Sequence, residues 1–231
     1  MIQVSGLNQY YRQSHILRDL ELRAEPGRCT CVMGRNGVGK TTLLKCIMGL
    51  LPVRTGRILL GDRDISRLSP EARARGGIGY VPQGREIFPE LTVEENLRVP
   101  LSSRADRARQ IPDTVYQLFP VLKEMRRRRG GDLSGGQQQQ LAVARALVLD
   151  PRLLILDEPG EGIQPNIVRQ IGDVIRQLND EMGLSVLLVE QKLPFARRVA
   201  HDFHIMEKGS IVAHGPIDAL TDELVREHLS V

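Results

Sequence analysis

The 231-residue chain has no tryptophan, four tyrosines and four phenylalanines, too few aromatics for the stacking platforms that hold single-stranded nucleic acid. Its three cysteines, Cys29, Cys31 and Cys46, are an odd number with no secretory leader ahead of them, which argues against a disulfide framework. Cys29 and Cys31 fall on one face of a strand by the two-residue period. A metal site needs further ligands nearby and none is evident, so both are expected in the core. No stretch approaches roughly 18 consecutive apolar residues, and the opening Met1-Ile2-Gln3-Val4 lacks the basic-then-apolar build of a signal peptide; the chain is expected to stay in the cytosol. Charge of neither sign dominates: 32 Lys and Arg against 28 Asp and Glu leave +4, a balance that demands no nucleic-acid or lipid partner.

What is there begins with Gly34-Arg35-Asn36-Gly37-Val38-Gly39-Lys40-Thr41-Thr42. It fits G-x-x-x-x-G-K-[ST], follows the apolar run Cys29 to Met33 that reads as a buried strand, and precedes a helix through Met48. Glycines let successive N–H groups converge on one anion, and the helix start adds its positive end. Lys40 is placed to reach the β and γ phosphates, and the Thr41 hydroxyl to ligate Mg²⁺.

Around this cradle, Ile2 to Leu22 reads as an antiparallel ribbon with a turn at Arg12-Gln13-Ser14, and Glu25-Pro26-Gly27 as a second turn. On pattern alone Tyr10 and Tyr11 either stack on a base or pack the ribbon. Thr55 to Asp62 reads as a strand and tight turn, and Ile78 to Gln83 as a short buried strand. From Gly84 to about Asp150 the pattern is helical, over Val93 to Leu101, Ile111 to Phe119 and Gly135 to Leu149, and reads as an insertion. The run Arg126-Arg127-Arg128-Arg129 is a candidate patch for nucleic acid or anionic lipid, but is better taken as a solvated helix end stopping at Gly130-Gly131. Two apolar strands, Arg152 to Glu158 and Ser185 to Gln191, flank a helix from Asn166 to Met182, which implies a parallel sheet covered on both faces with ligands at the strand C-termini. Val212 to Val231 is expected to close the chain with a turn and an amphipathic helix, leaving no room for a further domain.

Leu153-Leu154-Ile155-Leu156 ends in Asp157 and Glu158. Asp157 is expected to reach the nucleotide's Mg²⁺ through water and Glu158 to act as general base on the attacking water. Two adjacent acids after a buried strand are costly unless a cation or proton is shared there. In Leu133-Ser134-Gly135-Gly136-Gln137, Ser134 can cap a helix opening on two glycines, which cost about 1 kcal/mol each in helical positions.

The cradle, Val81-Pro82-Gln83, Leu133 to Gln137 and Leu153 to Pro159, in that order, resemble the nucleotide-binding subunit of ATP-binding-cassette transporters over essentially the whole chain. The resemblance implies an α/β P-loop ATPase with a parallel core sheet, an N-terminal antiparallel β subdomain and a helical subdomain at about 84–150 within a single domain, 1–231. It implies ATP and Mg²⁺ as cofactors and a head-to-tail homodimer, or a heterodimer with a related ATPase subunit. Each ATP would lie between Gly34, Arg35, Asn36, Gly37, Val38, Gly39, Lys40, Thr41 and Thr42 of one copy and Ser134, Gly135, Gly136 and Gln137 of the other. It also implies Gln83 at Mg²⁺ or the attacking water, Tyr11 on adenine, permease subunits docked near Gln83 to Phe88, a solute-binding protein acting indirectly, and a peripheral place on the cytoplasmic side of the membrane.

Within the family, Gly84 to Phe88, Leu156 to Gly162 and Val189 to Gln191 are similar to importers of branched-chain amino acids and urea. Gly6 to Tyr11, Ser14 to Leu17 and Glu161 to Pro165 look more like the urea subunit, so a urea or short-amide importer is expected, with a branched-chain amino acid importer as the alternative. Gln191 stands where most cassettes carry a His on the γ-phosphate; its amide can still bond phosphate and Glu158 but cannot become a cation. Gln164 replaces a common Asp, Gly160 a common Thr or Ser, and Arg12-Gln13 a common Gly-Gly. A soluble cassette acting on nucleic acid or ribosomes usually carries two cassettes or a long coiled coil, and a P-loop kinase or GTPase lacks the Leu133 to Gln137 segment.

Overall fold

A computed structural model describes residues 1–104, 106 and 108–229. The chain opens on a hairpin, β1 (Ile2–Tyr11) and β2 (Ser14–Ala24), closed by a tight turn with Arg12 at φ 54°. β3 (Cys29–Met33) runs into the interior and α1 (Lys40–Met48) leads out of it. β4 (Thr55–Leu60) then pairs antiparallel with β1 and with the short β5 (Arg63–Asp64). α2 (Pro70–Arg75) and β6 (Ile78–Val81) precede a helical section of α3 (Val93–Arg98), α4 (Asp113–Leu118), α5 (Pro120–Glu124) and α6 (Gly135–Leu147). β7 (Leu153–Asp157), α7 (Pro165–Asp180), β8 (Ser185–Glu190), α8 (Leu193–Val199), β9 (Asp202–Glu207), β10 (Ser210–Pro216) and α9 (Asp222–His228) complete the order.

Among the described residues the strands form a four-stranded sheet, β2-β1-β4-β5, and a six-stranded one, β10-β9-β3-β8-β7-β6. The larger sheet is parallel from β9 to β6, with β10 antiparallel on its edge. Its strands are apolar on both faces because each face is covered. Alternate residues therefore sort into two cores: Cys29, Cys31, Leu154, Leu156, Val186 and Leu188 pack with α6, α7 and α8. Val32, Leu153, Ile155, Leu187 and Val189 pack with α1 and the antiparallel sheet. All three cysteines are free and buried, and burial pushes their thiols up, away from the reactive thiolate.

Several expected boundaries move. The helix from Val93 stops at Arg98 and tightens into a 3₁₀ turn over Val99–Ser103, since Pro100 has no N–H to continue the ladder. The helix expected from Ile111 begins at Asp113, after Pro112, and ends at Leu118; those expected to reach Leu149 and Met182 end at Leu147 and Asp180. The arginine run is not a helix end: α5 stops at Glu124, and Gly130-Gly131 open a 3₁₀ turn over Gly130–Asp132. Val212, expected in a turn, lies in β10; the closing helix is α9, and Ser230 and Val231 of that expectation lie outside the described residues. The β9–β10 hairpin went unread because His204 breaks its apolar pattern, although Lys208-Gly209, both at positive φ, is the turn chemistry such a hairpin needs.

Two buried polar side chains hold the surroundings of the cradle. Arg73, 2% exposed, donates to the carbonyls of Cys46 and Ile47 at the C-terminal end of α1, and to those of Ser66 and Leu68; these are acceptors a helix leaves open. Asn96, fully buried, accepts from the Phe88 N–H at 2.9 Å and donates to the carbonyls of Phe88, Leu91 and Thr92, so one amide sets the path of the 88–92 segment. Asn96→Ala strips those partners and is expected to cost about 3 kcal/mol, read as a lowered urea midpoint; a loss below about 0.5 kcal/mol would show that the segment keeps its own shape.

Candidate functional site

Register brings four strand ends to one level. Met33 stands opposite Glu190, Asp157 opposite Val189, and Val81 opposite Leu156. The residues that follow, Gly34, Gln191, Glu158 and Gln83, therefore gather at the C-terminal edge of the parallel sheet, where ligands of such sheets bind.

The cradle needs its glycines. A Cβ on Gly34 would lie 2.4 Å from the Met206 carbonyl oxygen, and Gly39 takes φ 113° at the N-cap of α1. Lys40 is 5% exposed and donates to the carbonyls of Gly34 at 2.8 Å and Arg35 at 2.9 Å, with the Glu158 carboxylate 3.7 Å away. Burial lowers the Lys40 ammonium, and Glu158 and Asp157 offset part of that. Ile16 and Leu17 of β2 border Gly39. Tyr11 is 45% exposed at the end of β1, while Tyr10 stacks on His15 at 4.1 Å.

Asp157 is 1% exposed, and neither of its carboxylate oxygens has a hydrogen-bond partner. Burial pushes its carboxyl up to about 6, moderated by the Thr41 hydroxyl, which approaches without completing a bond of normal geometry. An orphaned buried carboxylate beside a hydroxyl offers oxygen ligands to a hard cation that takes most of its other ligands from phosphate and water. No cluster of three His, Cys, Asp or Glu able to hold a metal alone occurs among the described residues. The residues present thus fit Mg²⁺ carried in with a nucleotide.

Glu158 adopts φ 48°, a left-handed conformation uncommon for a side chain of this size, and its N–H donates to the Val189 carbonyl at 2.9 Å. The Gln191 amide donates to Glu158 Oε1 at 2.5 Å and to Asn36 Oδ1 at 2.7 Å, tying the acid to the cradle. Gln83 donates instead to Glu161 Oε2 at 2.8 Å. Sequence reasoning gave Glu161 no role at Gln83, and gave none to Glu190, which is buried beside Gln191. One Glu190 oxygen accepts from the Gln191 and Lys192 N–H groups, the other has no partner, and burial pushes its carboxyl up. The signal for Glu190 was legible, since it ends an apolar strand as Asp157 does.

Ser134 to Gln137 lie elsewhere. Ser134 and Gln137 cap α6 reciprocally: the Ser134 hydroxyl accepts from the Gln137 N–H at 3.3 Å and the Gln137 side-chain Oε1 from the Ser134 N–H at 2.9 Å. Gly135 sits by the Arg85 guanidinium, which donates to Gln138, and Gly136 packs on Ile167 of α7. Among the described residues no hydrogen bond links this segment to residues 34–42.

The sequence profile described as ABC transporter matches residues 17–161. The chain is 38% identical to BraG of Pseudomonas aeruginosa, a high-affinity branched-chain amino acid transport ATP-binding protein, covering 98% of each. It is 36% identical to the probable branched-chain amino acid transport ATP-binding protein LivF of Archaeoglobus fulgidus, covering 96% of this chain and 94% of that one. Identity to LptB of Escherichia coli K12, a lipopolysaccharide export ATP-binding protein, is also 36%, over 96% and 93%. A nucleotide-free ATP-binding cassette from an ABC transporter superposes with a TM-score of 0.84 at 25% identity, covering 100% of this chain and 95% of that one.

Ionised Asp157 is a cost to the ligand-free fold. Its folded value near 6 lies above the unfolded value of about 4, so its contribution is fully present below about pH 4 and lost as pH rises through 6. Asp157→Asn, neutral at every pH, is expected to raise the thermal midpoint of the nucleotide-free protein at pH 7.5 by roughly a few degrees, with the gain fading toward pH 4. A lower midpoint at pH 7.5 would mean the carboxylate is already neutralised without nucleotide.

Proposed function

The chain belongs to the ABC transporter family of ATPases, and from that premise we propose that it powers an importer of branched-chain amino acids by binding and hydrolysing ATP at the cradle. The relatives BraG and LivF, matched from end to end, support that cargo. Urea or a short amide is the second reading, favoured by the likeness of Gly6 to Tyr11 and Glu161 to Pro165 to the urea subunit. LptB, equally similar to LivF in identity, is named for export, so the inward direction rests on the likeness of residues 84–88, 156–162 and 189–191 to importers.

In this reading the N–H groups of Gly34 to Thr42 hold the β and γ phosphates and Lys40 turns from the loop carbonyls to the γ-phosphate. Tyr11 stacks on the adenine. Thr41, Asp157 and Gln83 would hold Mg²⁺, which would supply positive charge to offset the negative charge of the phosphates. Glu158 takes a proton from the water whose oxygen attacks the γ-phosphorus as the bond to ADP breaks. Gln191 keeps Glu158 aimed by anchoring it to Asn36, a positioning role that a neutral amide fills without becoming a cation.

Ser134 to Gln137, unbonded to the cradle of their own copy, complete the site of a second copy or of a related ATPase subunit in a head-to-tail dimer. Residues 84–150 act as a helical subdomain inserted in the ATPase core of one domain, and the groove near Gln83 to Phe88 receives a cytoplasmic helix of the permease. No helix among the described residues is long and apolar enough to cross a membrane, so permease subunits supply the channel, a solute-binding protein delivers the cargo, and this chain sits on the cytoplasmic face.

The observation that carries the catalytic assignment is the Glu158 carboxylate 3.7 Å from Lys40 and bonded to Gln191. Glu158→Gln should keep ATP affinity while turnover falls between about a hundredfold and ten-thousandfold; unchanged turnover would remove Glu158 from the base role. For the cargo, ATPase activity of the complex reconstituted with its permeases and binding protein should rise with leucine. A rise with urea alone keeps the mechanism and replaces the cargo, and co-purification with nucleic acid instead of permeases would overturn the transport reading.

A further inference from the structure

We propose that the exposed run Arg126 to Arg129 is a docking surface for anionic lipid headgroups, seating the helical section on the membrane beside the permease. The orientation rests on the reading that the Gln83 to Phe88 groove faces a permease.

The run has no helical role of its own. Its backbone serves α3 instead: the Arg128 carbonyl accepts from the Val93 N–H at 2.8 Å and the Arg126 carbonyl from the Glu94 N–H at 3.0 Å. With the Thr92 hydroxyl accepting from the Glu95 N–H, the first three donors of α3 are satisfied. The run thus lies between the C-terminal end of α5, whose dipole favours cations, and the N-terminal end of α3, whose dipole disfavours them, so the two effects offset each other.

All four side chains are exposed. Arg129 meets Glu90 at 3.3 Å, while among the described residues no ion pair or side-chain hydrogen bond engages Arg126, Arg127 or Arg128. Nearby Glu94 pairs with Arg98 and Glu95 closes the capping box at Thr92, leaving Lys123 and three arginines against Glu124 and Asp132. That is a surplus of positive charge without a fixed acceptor. Guanidinium forks match phosphate oxygens, and arginines fanned from one turn suit a diffuse anionic plane better than a single carboxylate.

Position favours a membrane. Thr92 bridges Arg129, and the N–H groups of Gly130 and Gly131 donate to the Leu91 and Pro89 carbonyls at 2.8 and 2.9 Å. The run therefore flanks the segment that follows Phe88, beside the groove read as receiving the permease. An anionic leaflet attracts each nearby arginine by about 1 kcal/mol, roughly a fivefold gain in partitioning.

The test is sedimentation of the full chain with phosphatidylcholine vesicles, with and without phosphatidylglycerol, alongside co-purification with the permeases. Binding is expected only with phosphatidylglycerol, weakening as salt rises, and falling by roughly two orders of magnitude in R126Q/R127Q/R128Q. R54Q/R63Q/R67Q, which removes the same charge from exposed positions elsewhere, should keep it. No binding, or equal loss in both variants, overturns the proposal. So does a run variant that still binds vesicles but loses the permeases, since its partner is then an acidic protein surface. Vesicle binding through the run without any permease association would keep the lipid surface and remove the transport reading.

Discussion

The molecule is organised around a charge problem at the C-terminal edge of its parallel sheet. Asp157, Glu158 and Glu190 end two adjacent apolar strands, and Lys40 is the buried cation that faces them. Two of the three acids keep oxygens with no partner, and burial of unpartnered carboxylate is among the costlier things a fold can carry. In the proposed reading a metal ion accompanying the nucleotide would supply the missing positive charge, so the feature that weakens the empty protein would be the one that makes it receptive.

The neighbouring segments are held by hydrogen bonds that can be exchanged. Gln83 rests on Glu161, Lys40 on two loop carbonyls, and Gln191 spans Glu158 and Asn36. By contrast, the supports behind them are buried and fully paired: Arg73 under α1 and Asn96 under the loop at Phe88. Rigid backing with polar groups in front is how a site is kept in shape while its ligands change. The Gln83 loop joins the sheet to the helical section, and Arg85 extends the same path to Gln138 on α6.

The central strands were legible because a strand buried on both faces leaves a continuous apolar run, and Asp157 and Glu158 stood out against it. The cradle was legible because the need for glycine at Gly34 and Gly39 is local. The arginine run misled because charge composition says nothing about which backbone groups a segment will bond; its carbonyls cap α3, more than thirty residues back, and no local period encodes that. The β9–β10 hairpin was lost to His204, a polar residue placed inside. Gln83 was singled out, but not its partner Glu161, because the two are 78 positions apart and meet only through sheet register.

We propose a site completed between two copies: Ser134 to Gln137 cap and open α6 and, among the described residues, make no hydrogen bond to the cradle of their own chain. The most direct measurement mixes two inactive variants, Lys40→Ala and Ser134→Arg, and follows ATP hydrolysis. The composite arrangement predicts that each alone is inactive and that the mixture recovers a substantial fraction of wild-type turnover, since one pairing joins an intact cradle to an intact Ser134 segment. An inactive mixture, or a Ser134→Arg protein that hydrolyses ATP normally by itself, would contradict it.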